Sequence, residues 1–169
     1  FSGGITPSPT YYSTVDRVDY SNDTGTASPK GRLVGSRAQT GASGTADFGY
    51  FAGGGTPSSP FDTSTVQRID YSNDTATTSK RGPLSVIRRM LAATSNANFG
   101  YFAGGIPQIS TVDRVDYSND TGTASPKGPL SFVRYGLSAT GNSSFGYFGG
   151  GNPGTKSSVD RIDYSNDTA

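Results

Sequence analysis

The chain has 169 residues and a formal net charge of +1, with 14 basic residues against 13 acidic ones. The basic residues are spread over the whole chain, so we expect neither a nucleic acid nor a membrane surface as partner. The sequence contains no histidine, cysteine or glutamate, which excludes a disulfide framework and leaves few groups for general-base, nucleophilic or metal chemistry. We therefore predict a protein without cofactor or metal that is not an enzyme.

One ten-residue phrase, Val-Asp-Arg-Val-Asp-Tyr-Ser-Asn-Asp-Thr, recurs with little change at Val15, Val66, Val112 and Val159. An internal period of about fifty residues is typical of arrays in which each unit buries its apolar face against its neighbours. We predict one repeat array over residues 1–169, with units at about 1–47, 48–98, 99–144 and 145–169. The first and last units are incomplete, and the chain, which starts at Phe1 without methionine, is expected to be a piece of a longer protein.

The repeats differ in length because of one loop, between a glycine pair and the valine of the phrase. Repeat proteins place such insertions on one face, often the binding face. The four loops cover residues 5–14, 55–65, 106–111 and 151–158, and their candidate partner-binding side chains are Tyr11, Tyr12, Phe61, Ile109 and Lys156. Aromatic side chains on Gly, Ser and Pro backbones suit the recognition of sugars or protein surfaces. Neutral drift of unconstrained loops would produce the same variability.

Four short strands are predicted in each unit, and the third copy serves as the model. The predicted strands cover residues 130–133, 136–140, 145–148 and 159–164. In the last of these, Val159 and Arg161 alternate with Asp160 and Ile162, which is the period of a strand. Four short strands in a unit of about 45 to 50 residues are typical of a propeller blade.

Several positions together resemble the kelch-repeat β-propeller family. An aromatic strand ending in Gly53-Gly54 is followed by the Val66–Tyr71 stretch, the Asn73-Asp74-Thr75 turn, Leu84 and Arg88, and equivalent arginines stand at Arg37 and Arg134. The chain lacks the tryptophan usual in kelch units, so blade packing is left to Tyr and Phe. The resemblance implies an all-β fold of kelch-like blades with four short antiparallel strands, of which about three and a half are present.

Propellers have from four to eight blades, so this segment cannot close alone. We expect further repeats outside it; the alternatives are two copies that pair to make seven blades, or units that stack into an open fibre. The Ser21–Thr26 and Ser118–Thr123 segments also resemble truncated Asp-box turns of sialidase-type propellers, although the second and fourth copies have Ala76 and Ala169 in place of the glycine.

The repeated charges suggest two kinds of site. A ring of Arg17, Arg68, Arg114 and Arg161, flanked by Asp19, Asp70, Asp116 and Asp163, would suit a carboxylate. A catalytic site needs an asymmetric constellation, however, and these residues occur in every unit, so we interpret them as inter-strand ion pairs and turn anchors. The Asp-Tyr-Ser-Asn-Asp stretch lacks the spacing and distal glutamate of a calcium loop, and an Asx-type turn capped by Asn22 and Asp23 explains it better.

Each copy of the phrase also spells an N-glycosylation sequon, at Asn22, Asn73, Asn119 and Asn166, and a fifth begins at Asn142. Turn chemistry explains the first four without any sugar, so both interpretations stay open.

The function expected from this sequence is that of a non-catalytic structural or interaction module. Tyr20–Gly31 and Tyr117–Gly128 are identical, and such recent duplication is typical of surface adhesins, phage fibres and decoration proteins; the arrays resemble those of marine phage surface proteins. We expect a virion-surface or extracellular location, with a receptor, a glycan or neighbouring subunits, including further copies, as partners. A fragment of a carbohydrate-active propeller enzyme and a self-assembling extracellular fibre are the alternatives.

Overall fold

The structure is a computed structural model and describes residues 1–7, 10–22, 24–154 and 156–168. In these residues the chain forms thirteen short strands in four antiparallel sheets, together with single 3-10 turns at Tyr71–Asn73 and Tyr117–Asn119. The predicted all-β class is therefore confirmed. No helix among the described residues has the length and apolar character to cross a bilayer.

We number the sheets I to IV in chain order. Sheet I contains β1 (Thr14–Arg17) and β2 (Ser28–Arg32). Sheet II contains β3 (Gly41–Gly44), β4 (Phe48–Ala52), β5 (Val66–Asp70) and β6 (Ser79–Arg81). Sheet III contains β7 (Ala92–Ser95), β8 (Phe99–Ala103), β9 (Val112–Asp116) and β10 (Ser125–Lys127). Sheet IV contains β11 (Ser138–Gly141), β12 (Phe145–Gly149) and β13 (Val159–Asp163).

Within each sheet, strands that follow one another in the chain also pair, so the sheets are simple meanders. The register places Tyr50 of β4 opposite Arg68 of β5, and the same relation recurs between Tyr101 and Arg114 and between Tyr147 and Arg161. Because side chains alternate along a strand, the neighbouring phenylalanine of each aromatic strand points to the other face.

Each sheet packs face to face against the next one. The buried cluster between sheets I and II includes Val15, Leu33, Phe51 and Ile69. The cluster between sheets II and III includes Tyr50, Leu91, Phe102 and Val115, and the one between sheets III and IV includes Tyr101, Leu137, Phe148 and Ile162. No sheet buries its apolar faces alone, as expected of a repeat array. The four sheets are consecutive blades of a partial propeller, about three and a half in number, as predicted.

The prediction of a strand at residues 130–133 is wrong. The fourth strand of sheet III is β10, whose Ser125 and Lys127 pair with Arg114 and Val112 of β9. β10 is a polar edge strand that contains Pro126, a residue tolerated at an edge because no ladder N–H is needed there. Residues 130–133 form an irregular linker to sheet IV, in which Leu130 is buried while Phe132 and Val133 are exposed.

The other predicted strands lie close to the observed ones. β12 extends the prediction by one residue, and β13 ends one residue before it. β11 begins two residues later than predicted, since Gly136 adopts a left-handed conformation with φ of 62° just before it. Each complete sheet takes its first strand from the end of one sequence unit and its other three from the next unit, so the covalent chain interlocks neighbouring units.

Candidate functional site

The four variable loops leave the sheets at the same edge. In sheets II and III the aromatic strand ends in a glycine pair with positive φ, at Gly53-Gly54 and Gly104-Gly105. A side chain at the first glycine of either pair would meet the carbonyl oxygen of a linker arginine at 2.6 Å or less, so glycine is required there. Since the sheets follow one another in the same orientation, we call the edge formed by the four loops the loop rim.

Backbone hydrogen bonds fasten the first three loops to the linkers that enter the next sheets. The N–H groups of Arg37, Arg88 and Arg134 donate, at 3.0 to 3.2 Å, to the carbonyl oxygens of Tyr12, Thr63 and Ile109. In the opposite direction, Gly4, Gly54 and Gly105 donate to the carbonyl oxygens of the same arginines. The frame therefore holds the ends of the loops in one arrangement although their lengths differ.

The side chains of the same arginines reach forward into the next sheet. Arg88 donates through Nη1 to the carbonyl oxygens of Gly104 and Thr111, at 3.3 and 3.1 Å, which lie on either side of the loop of sheet III. Arg37 and Arg134 make the equivalent pairs of hydrogen bonds to sheets II and IV. Each arginine thus holds one loop by its backbone and clamps the base of the following loop by its guanidinium group.

A carboxylate completes the clamp in sheets III and IV. Arg88 Nη2 lies 2.6 Å from Asp113 Oδ2, with both side chains fully buried, and Arg134 Nη2 lies 2.7 Å from Asp160 Oδ2. Burial lowers the pKa of Arg88, and the charge of Asp113 opposes that shift. In sheet II the aspartate is replaced by Gln67, which bonds instead to the backbone of Val34 and to the hydroxyl of Thr78.

The structure places the five predicted partner-binding residues as follows. Phe61 is the most exposed, at 65%, while Tyr12 is 43% exposed and its N–H donates to Gly4. Tyr11 is half-buried, with its ring beside Gly55 of the neighbouring loop. Ile109 is half-buried and its backbone bonds to Gly105 and Arg134, and Lys156 lies over the ring of Phe132, with Nζ 5.1 Å from its centroid. The five residues line an extended rim and do not converge on one point.

A contact that the sequence did not suggest holds the longest loop. Arg89 Nη1 donates to both carboxylate oxygens of Asp62, at 2.6 and 2.8 Å. Neither residue recurs in the other units, so the repeat pattern gave no signal for the pair. The arginine clamp did have a signal, since the linker arginine always stands four residues after a leucine, at Leu33, Leu84 and Leu130.

The arginines of the phrase form ion pairs between sheets. Arg17, Arg68 and Arg114 lie within 2.9 Å of Asp74, Asp120 and Asp167, which belong to the Asn-Asp-Thr turn of the following unit. The predicted ion pairs therefore run between blades and not between strands of one sheet. Asp167 is partly buried, but hydrogen bonds from Tyr101 and Lys127 and the charge of Arg114 outweigh that burial and lower its pKa.

The first aspartates of the turns anchor the backbone, as predicted. In each unit this carboxylate accepts hydrogen bonds from the hydroxyl and the N–H of the serine two residues later. These bonds lower the pKa of all four, which are Asp19, Asp70, Asp116 and Asp163. Asp23 lies outside the described residues, so its predicted cap stays a prediction.

The four sequon asparagines of the phrase are exposed, and the Oδ1 atom of each accepts a hydrogen bond from the threonine hydroxyl two residues later. Asn142 accepts from the N–H groups of Ser144 and Phe145 in its own turn. These side chains serve turn structure and are also open to modification. Among the described residues there is no group of three or more acidic or other ligating side chains that could hold a metal ion.

A cleft of about 700 Å³ lies away from the loop rim, between sheets I and II, and is lined by Val15, Phe51, Ile69, Tyr71 and Arg17 among others.

Comparison with known proteins gives no family assignment: no protein-family model matches the chain. No curated protein matches it either.

Proposed function

We propose that this chain is a non-catalytic, kelch-like propeller module of a virion or extracellular surface protein, and that its loop rim binds a receptor, a glycan or a neighbouring subunit. Support comes from one observation: loops with unrelated sequences are held by one repeated set of backbone and guanidinium hydrogen bonds. A frame that fixes loop ends while the loops vary suits recognition, because the loops can change without loss of the fold.

The side chains of the loop rim suit the binding of a sugar ring or of a polar protein surface. Tyr12 and Phe61 offer exposed aromatic rings, which supply contact area at a small cost in conformational entropy. The Arg89–Asp62 pair holds the loop that carries Phe61, so this ring is presented from a restrained backbone. Restraint before binding lowers the entropy lost in the complex.

The test uses a glycan library and the purified neighbouring surface subunits as probes. A Tyr12→Ala/Phe61→Ala double variant is compared with wild type and with Tyr20→Ala, which removes an exposed ring away from the rim. We expect the double variant to lose binding by about tenfold or more, as for aromatic hot spots, while Tyr20→Ala binds normally. Equal binding by all three proteins, or by a chain with its four loops scrambled, would contradict the proposal, as would glycan hydrolysis by the wild-type chain.

A further inference from the structure

Side chains from different segments of the loop rim meet beside Gly55, the glycine that follows the glycine pair of sheet II. The Cε1 atom of Tyr11 and the Cδ atom of Arg89 lie 3.9 and 3.4 Å from the point where a Cβ of Gly55 would stand. Tyr11 belongs to the loop of sheet I, and the backbone of Arg89 pairs with Ile106 at the start of the loop of sheet III. Three loops are therefore joined at this part of the rim.

Arg89 uses only part of its guanidinium group within the chain. Its Nη1 atom donates to both carboxylate oxygens of Asp62, whereas Nε and Nη2 form no hydrogen bond with a described residue. The side chain is 33% exposed, so a ligand has access to it. The N–H groups of Nε and Nη2 lie along one edge of the guanidinium plane, and such an edge can donate to both oxygens of a carboxylate.

A second arginine brings positive charge to the same place. The Cδ atom of Arg37 lies 3.6 Å from the Cβ position of Gly54, the residue before Gly55. Arg37 is only 4% exposed and has no carboxylate partner among the described residues, because Gln67 stands where sheets III and IV have an aspartate. Both equivalent clamp arginines, in contrast, are paired with an aspartate.

This part of the rim therefore has a net positive charge. The loops of sheets I and II and the linkers that follow these two sheets contain four charged side chains, which are Arg37, Asp62, Arg88 and Arg89. Arg88 is neutralised by Asp113. Two arginines against one aspartate remain, which is a net charge of +1. A ligand with a negative charge is attracted to such a surface.

Two aromatic rings accompany these charges. Tyr11 lies beside Gly55, and Phe61, whose ring is 65% exposed, directly precedes Asp62 in the chain. The face of an aromatic ring carries partial negative charge, and it attracts the C–H bonds that one face of a pyranose ring displays. A sugar ring thus finds a complement here that the carboxylate of an acidic peptide lacks.

We propose that this part of the loop rim, formed by Tyr11, Phe61, Asp62 and Arg89, binds an acidic sugar, that is, a pyranose that carries a carboxylate. The carboxylate pairs with the free edge of Arg89, the sugar ring lies against an aromatic ring, and the buried charge of Arg37 strengthens the attraction. The inference rests on the proposed function, because it names the ligand class of the loop rim.

The first test is a glycan library in which carboxylate-bearing members are matched with neutral counterparts. The wild-type chain should bind the acidic members about tenfold or more tightly than their neutral counterparts, since a hydrogen-bonded charge pair contributes about that factor. Raising the salt concentration from about 0.05 to about 0.5 M should weaken the binding, because salt screens exposed charges.

Two variants that break the same ion pair separate ligand binding from loop structure. Arg89→Gln removes the charge that meets the carboxylate, so the affinity for acidic glycans should fall about tenfold or more. Asp62→Asn removes the negative charge beside Arg89, so the same affinity should rise about twofold. If the pair served only to hold the loop, both variants would weaken binding.

Gln67→Asp tests the contribution of Arg37 without changing a residue that contacts the ligand. It gives sheet II the carboxylate that sheet III has, and the affinity for acidic glycans should fall about twofold, as for unit charges about 8 Å apart in water. Lys156→Gln is the control, because it removes a positive charge from the loop of sheet IV, and it should bind as wild type does.

The outcomes distinguish this inference from the proposed function. If the rim binds neutral glycans or a surface subunit with no preference for acidic sugars, the inference is overturned and the proposed function stands. Equal affinity for poly-glutamate, which offers carboxylates without a sugar ring, would overturn the choice of a sugar. Weaker binding by both Arg89→Gln and Asp62→Asn would overturn the role of the free guanidinium edge. A rim that binds no probe of any kind would contradict both proposals.

Discussion

The guanidinium group of Arg88 lies 2.6 Å from the carboxylate of Asp113, and neither side chain is exposed to solvent. Asp113 also accepts hydrogen bonds from the N–H and hydroxyl of Ser85, at 2.9 and 2.6 Å. The pair therefore joins a strand of sheet III to the linker that enters that sheet. Its loss would affect the clamp at the base of the loop of sheet III as well as the core.

Asp113→Ala should lower the free energy of unfolding by about 3 to 5 kcal/mol, because it leaves a buried guanidinium without its counter-charge. Asp74→Ala is the matched control: the arginine that it leaves without a counter-charge, Arg17, is 54% exposed, and the loss of an ion pair that leaves a solvated charge costs about 0 to 1 kcal/mol. Denaturant unfolding measures both. Similar losses for the two variants would show that burial does not govern these ion pairs.

In sheet II, the position of the buried aspartate is occupied by a different residue with different hydrogen-bond partners. Gln67 takes the place of Asp113, Val34 that of Ser85, and Thr78 that of Ala124, and the Gln67 amide bonds to Val34 and Thr78. Arg37 is clamped there by carbonyl oxygens alone. Both sets of three residues fill this buried position, one with a carboxylate and one with an amide.

Transferring the sheet II set to sheet III should recover stability lost by a single change. Asp113→Gln alone should be strongly destabilising, since Arg88 loses its counter-charge and Ala124 has no hydroxyl to donate to the amide as Thr78 does in sheet II. Adding Ala124→Thr should recover about 1 kcal/mol for the hydrogen bond regained, and Ser85→Val removes the hydroxyl that has lost its carboxylate acceptor. Unfolding curves of the single and triple variants give the coupling energy. A triple variant that is no more stable than Asp113→Gln would refute this explanation of Gln67.

The sequence predicted the strands that contain aromatic or β-branched residues, and it failed for an edge strand without apolar residues and for contacts between units. β12 and β13 were predicted within one residue, because aromatic and β-branched residues alternate in them. β10 was missed, because an edge strand of Ser, Pro and Lys has no apolar alternation. The Arg68–Asp120 partnership was also missed, since a local reading searches within one strand pair, whereas these residues lie about one repeat apart, at a separation of 52 residues.

Alkaline unfolding should begin at the tyrosines between the sheets. Burial and the Asp120 carboxylate raise the pKa of Tyr50 to about 12, and burial raises that of Tyr117 to about 12, from an ordinary value of 10.0. The unfolded chain then loses these protons at lower pH than the folded chain, so stability is fully present below pH 10 and falls between pH 10 and about 12. The melting temperature, measured across this range, should fall in step.

Tyr50→Phe tests the assignment, because it removes one titrating hydroxyl and keeps the ring that stacks on Tyr117. The variant also loses the hydrogen bond to Asp120, so it should be less stable than wild type at pH 8. The difference between the two proteins should shrink as the pH rises from 10 to 12. A constant difference would mean that Tyr50 does not contribute to the alkaline transition.

Two glycines near the loop rim have left-handed φ angles but differ in the space around them. Substitution by alanine at each therefore separates the stability cost of the backbone conformation from the cost of a steric clash. Gly104 and Gly136 have φ of 66° and 62°, but a Cβ on Gly104 would lie 2.5 Å from the carbonyl oxygen of Arg134, whereas one on Gly136 would have its nearest neighbour at 4.0 Å. Gly136→Ala should therefore lose only the conformational term, about 1 to 2 kcal/mol for an L residue in this region. Gly104→Ala should lose more, because the added methyl group must displace the linker backbone and strain the hydrogen bond from Gly105 to Arg134. Denaturant unfolding ranks the two variants, and hydrogen exchange of the Gly105 amide should be faster in Gly104→Ala alone. Equal losses and unchanged exchange would show that the linker moves freely and that the glycine pair does not fix the base of the loop.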